Sequence, residues 1–216
     1  MDEHDLEQFL LPDLLSGHAA GPLDAVDRDD DFGRLLAWYR RQGAFADRAV
    51  TGPGRFRVVD DELDGENPFS RETALEWLRS ERVNLVGMVR LAAESGCHTD
   101  VIALCDGPLW ALHEQGEHAG DTLEALSAGV ASAVALADPV AEARMRGLRG
   151  RLLVERGEVD DALVECAEAV AVAEGSGHRR VLAAALQARG EVLQARGEHA
   201  AAVEDFQRAR REISEG

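Results

Sequence analysis

Residues 148–170 read LRGRLLVERGEVDDALVECAEAV, and forty positions later residues 188–210 read ARGEVLQARGEHAAAVEDFQRAR. At that offset Gly150 aligns with Gly190, Gly157 with Gly197, Ala162 with Ala202, Cys166 with Phe206 and Ala169 with Ala209. Self-similarity at a fixed period of about 40 residues is the mark of a repeat architecture. Each unit reads as a helix, a tight turn at Arg-Gly-Glu and a second helix. Gly150 and Ala162 stand where the two antiparallel helices cross, and their lack of bulk permits close approach. Ala169 does the same towards the next pair. One such hairpin cannot bury its apolar side alone, so about three must stack.

Outward from this pair, everything after Ser70, a plausible N-cap, has helical periodicity. The expected helices cover about 71–80, 82–95, 100–115, 119–137, 140–156, 159–174, 179–196 and 198–214. Gly96, Gly116, Gly157, Gly175 and Gly197 stand at or near their ends, where a left-handed residue is useful. No strand-like alternation competes, so the class is all-α. The first 66 residues differ: they carry 16 acidic and 7 basic side chains and are enriched in turn signals. The expected division is an acidic N-terminal segment, 1–66, with one or two helices and a connector, then a helical repeat domain, 67–216. Within the first part, Leu6, Phe9, Leu10 and Leu14 follow helical spacing and Ser16–Arg28 reads as a loop. Asp30 or Asp31 caps a helix with the stripe Phe32, Leu35, Leu36, Tyr39, Phe45 and Ala49. Gly43 weakens its middle by about 1 kcal/mol relative to Ala. Thr51–Phe69, with the acidic run Asp60–Glu66, reads as a solvated connector.

The Gly, Gly, Ala, large apolar, Ala spacing resembles the tetratricopeptide repeat. That resemblance implies a right-handed α-solenoid of about three helical hairpins, preceded by N-terminal accessory helices. A weaker unit precedes the two clear ones, with Leu109, Gly116 and Ala128 in place but Asp121 where the motif has a small alanine. Arg149 and Arg189 occupy a position that is usually apolar, the motif tryptophan is absent, and no proline closes either repeat. The segment NPFSRETALEWLRSERVNLVGMVRLAAESG, residues 67–96, together with LLAWY at 35–39, is more specific. It resembles the region joining the ATPase core to the tetratricopeptide array in actinobacterial STAND-type, AfsR-like antibiotic regulatory proteins. The matching residues are Phe69, Trp77, Leu78, Glu81, Arg82, Asn84 and Leu85. The nucleotide-binding and DNA-binding modules of that family are absent, so the resemblance implies a regulatory arm alone or a fragment of a larger regulator.

Composition narrows the chemistry. All 23 basic residues are arginine, which removes a P-loop lysine, a Schiff-base lysine and a pyridoxal-phosphate anchor. A net charge of -18 opposes nucleic-acid binding, whose affinity comes largely from neutralising phosphates. No apolar run is long enough to span a bilayer, and no secretory signal is visible, so the expected location is cytoplasmic. Cys97, Cys105 and Cys166 read as reduced thiols. With His98, His113 and His118 they match no zinc spacing, so neither metal nor cofactor is expected. No Gly-x-Ser-x-Gly context surrounds any serine, and Asp160–Asp161 sit where a helix dipole favours acid, so no enzyme is expected.

Carrying over the groove-lining positions of the tetratricopeptide family gives Asp106, Trp110 and His113 from the first hairpin. The second supplies Arg144, Arg151 and Glu155, and the third Gln187, Glu191 and Gln194. Guanidinium forks suit a carboxylate or a peptide terminus, and Trp110 offers an apolar or cation–π surface. A merely solvated helix face would present the same residue types. The expected function is a non-enzymatic, protein- or peptide-binding regulatory scaffold with a partner of basic character, and with neither nucleic acid nor membrane as partner. Alternatives are a small-molecule sensor with a deep pocket around Trp110, and a self-associating module that dimerises through Phe9, Leu10 and Leu14. Trp77, Leu78, Leu85, Val89 and Leu91 are assigned to the core, and Asn84 to backbone groups at a helix junction.

Overall fold

The computed structural model describes residues 22–60, 63–116 and 119–214. The helices in chain order are α1 Pro22–Thr51, α2 Arg71–Ser80 and α3 Arg82–Glu94. His98–Leu104, a π turn over Cys105–Leu109 and Trp110–His113 together form α4. There follow α5 Ala119–Ala135, α6 Pro139–Glu155, α7 Val159–Ser176, α8 Arg179–Ala195 and α9 His199–Ser214. Among the described residues no strand occurs, and no helix is long and apolar enough to cross a membrane. Phe9, Leu10, Leu14 and His118 lie outside the described residues.

The first helix starts earlier than its sequence suggests. It opens at Pro22, not at Asp30 or Asp31, which lie exposed inside it. Proline suits the first helical position, because its fixed φ is helical and its missing N–H is one that a helix start leaves unpaired. Gly43 has a packing reason: a Cβ there would stand 2.7 Å from Cγ of Pro108. That proline lies inside α4, where its ring would clash with the carbonyl four residues back. Widening to π geometry over Cys105–Leu109 accommodates it, and the helix continues through the break.

From Gly96 onward the turns form a ruler. Left-handed residues fall at Gly96, Gly116, Ala137, Gly157, Gly177 and Gly197, at intervals of 20 or 21 residues. Several close with the same carbonyl-satisfying bond: the amide of Glu158 donates to the carbonyl of Leu153 at 2.9 Å, and that of Glu198 to Leu193 at 2.8 Å. The left-handed residue after α7 is Gly177 and not Gly175, since the last helical turn runs on to Ser176. Between hairpins, Asp138 and His178, again forty apart, cap α6 and α8 by accepting backbone amides.

Helix α6 packs on α7, its hairpin partner, and also on α5 and α8; α8 packs on α7 and α9. A Cβ on Gly150 would overlap Sγ of Cys166 and approach the carbonyl of Ala162 to 3.3 Å. One on Gly190 would meet the Phe206 ring at 2.5 Å. The paired glycines therefore do the same job in both units. Arg149 and Arg189 do not turn the helices outward. They pair with acids on the second helix of their own hairpins: Arg149 with Glu165 at 3.4 Å, and Arg189 with Asp205 by two bonds of 2.6 and 2.7 Å. Asp121, the misfit in the weaker unit, is paired with Arg82 of α3.

The N-terminal helices join one continuous core, so packing crosses the compositional boundary at residues 66/67. Leu36, Tyr39, Ala46 and Val50 of α1 share it with Leu78, Leu85, Met88, Val89, Leu104, Trp110, Leu126 and Leu148. Trp77 and Leu91 pack against it half-buried. Ser70 caps α2 in a reciprocal capping box with Thr73. The aromatic rings of Trp38, Tyr39, Phe69 and Trp77 gather over the start of α3. There the Tyr39 hydroxyl and the Asn84 side-chain amide donate to one oxygen of Glu81 at 2.7 and 2.8 Å. Asn84 thus serves a carboxylate, not the backbone.

Candidate functional site

The connector between α1 and α2 departs most from its sequence reading. Its acidic part, Asp60 and Asp64–Glu66, is exposed, but residues 55–58 thread inward and reach α6. Arg57 is buried and bonds Asp47 of α1, the Thr51 hydroxyl at 2.9 Å and the Gly52 carbonyl at 3.1 Å. Arg55 reaches Asp47 at 3.2 Å and Asp106 at 3.0 Å. Arg144 of α6 donates through Nε and Nη2 to the same oxygen of Asp106 at 3.1 and 2.9 Å. The amide of Val58 takes the other oxygen at 2.9 Å. Three guanidiniums thus enclose two buried carboxylates. Burial alone would raise the Asp106 carboxyl. The flanking Arg144 and Arg55 charges, with the hydrogen bonds from Arg144 and Val58, outweigh it and hold the group below the ordinary carboxylate range.

The π turn helps make this arrangement possible, because Asp106 lies within it and faces Arg55, Val58 and Arg144 together. Asp106 is therefore part of a buried network and not an open groove wall. Its sequence signal was weak: an Asp-Gly-Pro in an apolar helix can be read as a break. The partner arginines, 38 and 51 residues away, leave no local spacing to detect.

Phe56 lies beyond the network, against the N-terminal ends of α6 and α8. Its ring centroid is 5.8 Å from the Arg144 guanidinium, 5.1 Å from that of Arg180 and 5.8 Å from the His178 ring. Next to it a shallow trough of about 60 Å³ opens between the two helices. Its floor is small or aliphatic, with Ala143, Gly147, Leu148, Ala184 and Ala188, and its rim carries Arg144, Arg151, Gln187 and Glu191.

The remaining expected groove residues divide. Trp110 is only 2 % exposed and belongs to the core; its indole N–H donates to Glu114 at 2.8 Å, and the Arg151 guanidinium lies 5.4 Å from its ring. Arg151 continues to Glu191 at 2.9 Å, and Gln187 donates to Glu191 at 3.2 Å. Trp110, Arg151, Glu191 and Gln187 therefore form one line from α4 across α6 to α8. His113 is buried beside Trp110 and pairs with Glu155, itself exposed, at 3.1 Å. Gln194 is exposed farther along α8, away from the trough lining. Trp110 is packed into the core cluster among the described residues and does not line the trough.

A second, more open depression of about 270 Å³ lies among α5, α6 and α7, lined by Leu123, Leu153, Val164 and charged groups. It is larger, but its charged lining is Arg149 with the acids Glu158, Asp161 and Glu165, and none of the expected groove residues reaches it. The trough is the better site because Arg144 on its rim also holds Phe56, so the chain itself places a segment beside it.

The residues considered for metal binding point elsewhere. His98 bonds Ser132 at 3.1 Å, and the buried Cys105 thiol contacts the Ala125 carbonyl at 3.1 Å. Burial also pushes the Cys166 thiol up to about 12, which leaves it protonated at neutral pH. Among the described residues no group of three or more His, Cys, Asp or Glu could hold a metal ion. Comparison with protein-family models, with curated proteins and with solved structures finds no match to the chain.

Proposed function

We propose that this chain is a non-enzymatic regulatory scaffold of the tetratricopeptide type, which holds an extended peptide segment of a protein partner against α6 and α8. The reading rests on three supports: the forty-residue repeat of Gly, Ala, turn and cap positions, the packing of α6 on both α7 and α8, and the small-residue floor between the first helices of successive hairpins. One observation carries it. The face formed by α6 and α8 already holds a non-helical stretch of the same chain at one end, through the Phe56 carbonyl and ring. A trough of about 60 Å³ is small beside the roughly 300 Å³ minimum of a drug-sized ligand pocket. It suits side chains of a peptide laid across it, and a partner of net positive character is favoured by the charge of -18. The expected setting is the cytoplasm.

The test is a displayed random-peptide library selected against the full chain, with Ala184→Trp as a counter-target. Ala184 is half-buried in the trough lining, so the indole fills the site without entering the core. Enriched peptides should bind the parent protein and lose at least tenfold on the variant, at unchanged helicity by circular dichroism. Failure to enrich, or binding indifferent to Ala184→Trp, would overturn the assignment.

A further inference from the structure

We infer that Arg55-Phe56 is a tethered occupant of the ligand site, and that the partner presents an extended segment in which an arginine precedes an aromatic residue. This rests on the trough being a peptide site and specifies what that site recognises. The seat has two parts, each complementary to one side chain. The first is the paired carboxylates Asp47 and Asp106, which take the Arg55 guanidinium. The second is the slot between the Arg144 and Arg180 guanidiniums, which hold the Phe56 ring through its face with the His178 ring beside it. Arg144 links them, since it bonds Asp106, the Phe56 carbonyl and the Phe56 ring, and also lines the trough. A ligand seated here would run on from the slot along the floor of Ala143, Gly147 and Ala184.

The occupant is built to leave. Among the described residues, Val58 is the one amide between Pro53 and Val59 that donates a hydrogen bond, and it donates to a side chain. Pro53 and Gly54 before the pair are exposed, and so are Asp60 and Asp64–Glu66 after it. Phe56 is half-buried at the edge of the apolar cluster of α6, α7 and α8, with the Arg144 and Arg180 guanidiniums against its ring. Nε of Arg55 is buried without a hydrogen-bond partner, so this arginine is imperfectly satisfied where it sits. Arg57, by contrast, is locked on Asp47, Thr51 and Gly52 and serves as the hinge that stays. A tethered segment competes at a local concentration in the millimolar range, so it lowers the apparent affinity for an outside ligand in proportion to its own occupancy.

The test uses the full chain and a labelled peptide with the sequence of residues 52–60, GPGRFRVVD. In fluorescence anisotropy the double variant Arg55→Ser, Phe56→Ser should bind this peptide at least tenfold more tightly than the parent protein. A peptide with serine in place of the phenylalanine should not bind. Equal affinity for parent and double variant would place the peptide elsewhere and overturn the inference. So would no binding to a double variant that keeps its helicity, even where the library selection above succeeds. Hydrogen exchange on the parent protein gives a second reading independent of any variant's folding. The Val58 amide should exchange at least a hundredfold faster than amides in the middle of α8. Equal protection would make the segment permanent core.

Discussion

The N-terminal part, α1 to α5, and the two clear repeats, α6 to α9, are stabilised by different means. Of the twelve largest fully buried side chains among the described residues, eight lie in α1 to α5 and four, Met145, Leu148, Leu152 and Leu186, in α6 to α9. The N-terminal part buries Trp110, Leu78, Leu85, Met88 and Leu104, each contributing about 1.5–3 kcal/mol by leaving water. It also encloses Asp47 and Asp106 with arginines from two segments, Arg55 and Arg57 of the connector and Arg144 reaching in from α6. The second part is held by close approach, with alanine and glycine at the helix crossings and short identical turns. Charges pair within single hairpins at matching places, as in Arg149–Glu165 and Arg189–Asp205, while Arg151–Glu191 joins one hairpin to the next. A unit that is copied along the chain needs contacts that copy with it, and local ones do. The first part, where the repeat pattern is weak, uses long-range contacts that are not copied, such as Arg55–Asp106 and Arg82–Asp121.

The largest expected break in this contrast is Asp106→Asn. It leaves Arg55 and Arg144 facing each other without their carboxylate, and unmatched buried charge costs about 3–5 kcal/mol. Chemical denaturation should show that loss; a cost below about 1 kcal/mol would mean that the network is solvated. The same residue sets an acid limb. Because its folded-state pKa lies below the unfolded value near 3.8, its stabilisation is complete above about pH 5. It disappears as pH falls through the lower, folded value. Stability measured between about pH 5 and pH 2 should therefore decline more steeply in the parent protein than in Asp106→Asn.

Within the repeats, Gly150→Ala and Gly190→Ala should separate the two copies. The first drives a methyl into the fully buried Cys166 and the Ala162 carbonyl, so it should cost about 2–3 kcal/mol. The second meets the half-exposed Phe206 ring at the end of the array, which can swing aside, and should cost about 1 kcal/mol or less. Equal costs would show that the terminal hairpin is as tightly packed as the inner one. The smallest change goes the other way. Ala137 adopts a φ of 50° where its counterpart forty residues on is Gly177. Ala137→Gly should raise stability by about 0.5 kcal/mol, the left-handed strain relieved less the entropy glycine adds to the unfolded chain. A rise in thermal midpoint checks it.

The helical spans after residue 70 were legible because each is set by residues within a few positions of one another. The same holds for the Ser70 cap and for the glycine contacts, which the forty-residue offset exposes directly. Even the repair of Arg149 and Arg189 was written there, since Glu165 and Asp205 repeat at the same offset. The start of α1 was missed because a proline that opens a helix looks like one that ends it. The expected groove was half legible. Arg151, Gln187 and Glu191 do line the trough, but Asp106 and Trp110 are drawn inward by partners on α1, α6 and the connector.

The amino-acid order alone determined an all-helical chain with a copied hairpin, because helical period, turn residues and small crossing positions are short-range properties. Only the tertiary structure decided that residues 55–58 abandon solvent for Asp106, Arg144 and the ends of α6 and α8. Pairings across 38 to 88 positions leave no periodic trace. They arise only once packing brings charges together in a place where none can remain alone.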